Sequence, residues 1–417
     1  MSARADVPPL SLAAGYFGTA LFFLAWAAVG LVWIAPDLAS GAFPLRSAVA
    51  VTHLFTLGWI TLSMFGALHH FLPVALHTPL MPLRCAWLQL VLFGVGLSAF
   101  VAGELLAARG LALAGAGVLA LALLAFAFRL VLALLRAGSS RTARALVLAA
   151  AFLVVTTTFG VLLAGDPAFG WLGRSRPALA ALHVHAALVG WVLLTMVAVA
   201  QRLLPMFLLT RAPEPRLAAL SLLLVGGGAV AMLAFNSSDL VLRVWLPLAL
   251  VAAGLAVFLL QSGKAYLESR GELDPGLRFA GVGLVFLGVA LVIAPFALRV
   301  GAADPNRLVL YVAAAVLAAI AIFVCGHYYR IVPFLVWSRR YAERPPLPGA
   351  GGPAALYRTD VALLALLCFV TGATTFLVSV AHGERNVAQA GAVAFAAGAA
   401  LLVTQMSGVL LRGRAEG

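Results

Sequence analysis

Twelve long apolar runs, joined by loops too short to fold independently, leave this 417-residue chain almost no choice of fold class. They lie near residues 12–36, 47–74, 85–107, 110–136, 143–165, 178–206, 217–236, 240–262, 276–299, 307–335, 359–381 and 386–411. Each supplies the roughly 20 residues that a helix needs to cross a bilayer. Hydrophobic residues make up 64% of the chain and charged ones 10%, too uniform a mixture for a soluble core. The expectation is an all-α polytopic membrane protein with twelve transmembrane helices. The first run lacks a short apolar stretch followed by a small-residue cleavage site, so it reads as a retained span.

Cations collect in the loops after even-numbered spans: Arg136, Arg141 and Arg144; Arg211 and Arg216; Lys264 and Arg270; Arg339, Arg340, Arg344 and Arg358. Under the positive-inside rule, both termini are then cytoplasmic and the protein sits in the cell (inner) membrane. The formal charge of +13 does not point to nucleic acid, because these residues occupy short loops on one side rather than a folded face. The expected partner is the lipid bilayer, anionic lipid included. Cys85, Cys325 and Cys368 are isolated, with no CxxC and no CxxCH. That spacing excludes a disulfide framework, a thiolate zinc site and covalent haem attachment, so any haem is held noncovalently. The longest connection, Ser338 to Arg358, contains RPPLPGAGGP and reads as a linker. All chemistry must therefore lie within the bundle or at its edge, where 40 glycines allow close helix approach.

One segment is duplicated. HLFTLGWITLSMFGALHHFLPVALHT at 53–78 returns 132 residues later as HAALVGWVLLTMVAVAQRLLPMFLLT at 185–210, with nine identities that include His53/His185, Gly58/Gly190, Trp59/Trp191, Met64/Met196 and Pro73/Pro205. A fainter third copy ends in GHYYRIVPF, whose Pro333 and Arg330 lie 128 residues after Pro205 and Arg202. The spacing predicts three pseudo-repeated four-helix units, approximately 12–141, 142–274 and 275–412, within a single transmembrane domain over 1–417.

The histidines divide by depth. His53, His183, His185 and His382 fall toward the outer face, and His69, His70, His77 and His327 toward the cytoplasm. Ionisable side chains inside a span are costly and mark functional positions, the bland alternative being a neutral imidazole bonded to a carbonyl one turn away. At about 100° per residue, His53 and Met64 share a helix face, as do His185 and Met196, whereas His183 points away from His185. The same reckoning favours His70 over His69 as the interior group. It also sets His327 about 21 Å below the level of His53, which makes two sites rather than one. Neutral imidazole suits iron and copper. Trp59 and Trp191 follow glycines deep in their helices, as in a slot for a flat macrocycle, although ordinary packing uses the same pair. Arg202 and Arg330 share a repeat position near the inner boundary and suit haem propionates or lipid phosphates. Pro73, Pro205 and Pro333 kink or end their helices.

Twelve helices in three fours, with outer-side histidines in the second and sixth spans, resemble the catalytic subunit of haem-copper oxidases and nitric oxide reductases. The segment H-x4-G-W-x6-G-x6-P from His53 to Pro73 resembles short subunit-I-like members of that superfamily. RLLPMFLLTR at Arg202 to Arg211 resembles the NnrS family of haem- and copper-containing membrane proteins linked to nitric oxide stress. By resemblance, His53 matches the low-spin haem ligand and His185 the ligand of the active-site metal. The family's histidine pair in the seventh span, the paired histidines of the tenth and the tyrosine four residues after His185 are missing. The resemblance thus implies a b-type cytochrome rather than a proton-pumping oxygen reductase. It would carry haem b, with copper as a second candidate, and would serve electron transfer or nitric oxide binding as an oxidoreductase fed by a cytochrome or quinone donor. The metal candidates are His53, His185, His183, His69, His70 and His327; Trp59, Trp191, Arg202 and Arg330 complete the cofactor set. The alternatives are a membrane transporter, since repeated helices also build alternating-access machines, and a cofactor-free assembly or structural subunit of a respiratory complex.

Overall fold

The computed structural model describes residues 8–43, 45–234, 244–297, 304–341 and 351–415. These contain twelve helices long and apolar enough to cross a membrane: α1 (Leu10–Ala39), α2 (Arg46–Leu76), α3 (Leu83–Leu105), α4 (Arg109–Arg136), α5 (Arg141–Phe169), α6 (Gly173–Leu208), α7 (Pro215–Ala234), α8 (Leu246–Leu267), α9 (Pro275–Ala297), α10 (Pro305–Arg340), α11 (Thr359–His382) and α12 (Arg385–Gly413). No strand occurs among the described residues. The expected eighth span, 240–262, lies at Leu246–Leu267, with residues 240–243 outside those described, as are 298 and 299 of the ninth and the stretch 342–350 that includes Arg344.

The helices pack as two compact units. A central unit takes Phe71–Glu272, hence α3 to α8; a terminal unit joins Pro8–His70 to Leu273–Gly417, hence α1, most of α2, and α9 to α12. The packing therefore groups the helices in two sets, whereas the sequence offsets count in threes.

Within each unit, neighbouring helices meet backbone to backbone. A Cβ added to Gly103 of α3 would run into the Ala112 amide of α4, and one on Gly391 of α12 would lie 2.7 Å from the Phe376 nitrogen of α11. With no hydrophobic effect separating helix from lipid, such close van der Waals approach holds spans together. Large apolar residues face outward, among them Phe22, Trp33, Leu121 and Leu223 at 56%, 62%, 65% and 70% exposure, as a lipid-facing surface requires.

Three helices widen at corresponding places into π turns. They cover Leu54–Thr61 in α2, Ala186–Leu193 in α6 and Ala314–Ile320 in α10, so their starts are separated by the same 132 and 128 residues as the sequence copies. His53 and His185 are the last α-helical residues before the first two; Ala313 takes that place in the third. The helices α2 and α6 also end alike, three residues beyond Pro73 and Pro205, on the left-handed residues His77 (φ 53°) and Leu209 (φ 54°). Past Pro333, α10 runs on to Arg340.

Candidate functional site

A carbonyl oxygen can only accept a hydrogen bond, and this fixes how the histidines present themselves. His53 Nδ1–H donates to the Val49 carbonyl at 2.8 Å, His70 to Gly66 at 3.1 Å, His185 to Ala181 at 2.8 Å and His327 to Phe323 at 3.0 Å, each one turn back on its own helix. In a neutral ring the lone pair then belongs to Nε2, the nitrogen a metal would take. Metal-ligating imidazoles use the same anchor, a second-nitrogen bond to a carbonyl that sets the ring's orientation and raises its basicity. So do histidines that merely satisfy themselves on their own helix.

In the terminal unit, His69 and His70 are buried at 2% and 7% exposure. The His69 ring packs on Tyr16 with centroids 5.0 Å apart. The Nε2 of His70 is buried without a hydrogen-bond partner. Trp59 is wholly buried beside Phe55 at 6.4 Å. Its carbonyl accepts from Ser63 Oγ at 2.6 Å, and Ser63 Oγ contacts Tyr328 Oη at 2.6 Å. Because the carbonyl takes the serine proton, Tyr328 is the donor to Ser63. This buried chain joins α2 to α10. It was not foreseen, since nothing local marks two hydroxyls 265 residues apart as partners.

Arg330 differs from expectation as well. Its guanidinium pairs with Asp274, whose other oxygen accepts the Leu277 amide at 3.0 Å and caps α9. Arg330 is thus paired with the residue that caps α9. The signal was present in the sequence: an aspartate followed by Pro275 is the usual opening of a helix.

In the central unit, Gly190 and Trp191 do not border an open slot. A Cβ on Gly190 would collide with the Phe152 ring, and Trp191 packs edge-on to Phe126 at 6.5 Å. His183 turns from His185 to donate to the Thr156 carbonyl of α5 at 3.0 Å. Arg176 holds the start of α6 by bonding Asp166 at 2.8 Å and the Leu163 carbonyl at 3.1 Å, the acceptor that Pro167 cannot serve. At the other end, Arg202 donates to the Ala75 carbonyl at 3.2 Å.

The face assignments made along uniform α-helices do not survive the wide turns. A π turn holds about one residue more than an α turn, so the wheel angle counted from His53 to Met64 through Leu54–Thr61 does not hold. The same holds for His185 and Met196.

Among the described residues, no three His, Cys, Asp or Glu side chains gather as a metal-holding group. A copper centre of three imidazoles is not assembled from them. His70 presents an anchored ring whose buried Nε2 has no hydrogen-bond partner. No protein-family model matches the sequence, and no curated protein matches it. On its own residues the chain is a multi-pass, all-helical membrane protein.

Proposed function

We propose that the protein holds haem inside the bilayer, as a b-type cytochrome-like carrier of electrons or receptor for nitric oxide, with His70, His53 and His185 as the imidazoles that would hold it, each at its own place in the helices. The observation that carries the proposal is the shared anchoring of these rings, with the Nε2 of His70 left without a partner. A bound haem would supply redox chemistry and affinity for a small gaseous ligand. The Gly66, Val49 and Ala181 carbonyls orient the rings and raise their basicity. His69 and Tyr16 pack on each other in the same unit as His70.

The test is a reduced-minus-oxidised spectrum of purified protein with and without carbon monoxide, beside elemental analysis. A Soret band that shifts with carbon monoxide and is lost in His70→Ala supports the proposal. Protein without Soret absorption, iron or copper overturns it. A band unchanged by His70→Ala, His53→Ala and His185→Ala removes these residues as ligands. The transporter alternative calls for helices broken near the midplane, whereas α2, α6 and α10 continue through their wide turns without a break.

A further inference from the structure

At one end of the central unit a cavity of about 270 Å³ opens where α6 ends, α7 begins and α8 ends. Its volume is below the roughly 300–1,000 Å³ that encloses a drug-sized ligand, which suits a headgroup-sized fragment. Its rim carries two cations, Arg211 and Lys264, and two carboxylates, Glu214 and Glu268. A lining with balanced charge does not favour a simple anion; it matches a molecule that bears both signs.

The deeper wall is apolar, built from Leu204, Pro205 and Phe258. Leu217, also in the lining, is 44% exposed and continues into the outward face formed by Leu220 and Leu223 at 40% and 70%. One side of the cavity is therefore continuous with the surface that meets acyl chains. Inside, Gln261 Nε2 donates to the Val257 carbonyl at 3.4 Å, while its Oε1 has no hydrogen-bond partner.

We infer that this cavity binds the zwitterionic headgroup of an aminophospholipid, with the phosphate at Arg211 and Lys264, the ammonium toward Glu214 and Glu268, and the acyl chains left along α7. The reading stands independently of haem. Native mass spectrometry of the full-length protein tests it, counting lipid retained after exchange into phosphatidylethanolamine, phosphatidylglycerol or soluble phosphoethanolamine. Phosphatidylethanolamine should be held best. The double variant Arg211→Gln/Lys264→Gln, at exposed sites that leave the fold alone, should lose about tenfold in retention, and Arg144→Gln none. Preference for phosphatidylglycerol, or equal retention by the double variant, overturns the inference. Binding of soluble phosphoethanolamine as tight as that of the lipid overturns the lipid as its source.

Discussion

Hydroxyl and imidazole protons have few acceptors inside this bundle, and their direction carries consequences that the residue types alone do not. Since Ser63 donates to Trp59 and accepts from Tyr328, removing the serine strands a buried tyrosine hydroxyl, while removing the tyrosine hydroxyl leaves Ser63 bonded. Ser63→Ala should cost about 1–2 kcal/mol and Tyr328→Phe less, measured by thermal unfolding in detergent. The opposite order would reverse the assigned donor. The sequence revealed which histidines lie within spans, because an imidazole in an apolar run stands out. It did not reveal Ser63, one small hydroxyl among many, nor that Arg330 already had Asp274. Hydrogen-bond direction is a property of the folded backbone and leaves no trace in residue order.

Helices were the most legible level. Each of the twelve was visible as an apolar run, since lipid imposes length and hydropathy together. The wide turns were not visible: Leu54–Thr61 and Ala186–Leu193 share GW, but Ala314–Ile320 forms the same turn without it. Wheel angles counted through them went wrong for that reason. Contacts between helices yield a sharper expectation. Gly103→Ala should destabilise by about 1–3 kcal/mol through overpacking against Ala112, whereas at Gly117, which has nothing within 4 Å of an added Cβ, alanine should be neutral or stabilising. Thermal unfolding of the two variants separates these outcomes. At the start of α7, the Arg216 and Leu217 amides hold the Glu214 carboxyl below its ordinary value of 4.5. A lowered folded-state pKa stabilises above the ordinary value, and the benefit is lost as pH falls through the lowered one. Between about pH 6 and about pH 3, the wild-type melting temperature should therefore fall further than that of Glu214→Gln. Parallel curves would show that this cap contributes nothing.

At the scale of the molecule, the repeat read from sequence and the grouping made by packing differ, because similarity follows descent along the chain while contacts follow space. The terminal unit is discontinuous: Asp37 in α1 meets Arg385 of α12 at 3.4 Å, and Gly413 of α12 abuts Leu10. A chain divided between Arg270 and Gly271 and expressed as two polypeptides should co-purify, since α1 and α2 on the first pack with helices of the second. Separate insertion of both pieces without co-purification would contradict that grouping. The same discontinuity bears on biogenesis. As the polypeptide leaves the ribosome, its two leading helices enter the membrane long before the last four exist. They must wait there, partly unmatched, until α9 to α12 have been made, so maturation of that unit follows synthesis of all the helices in between.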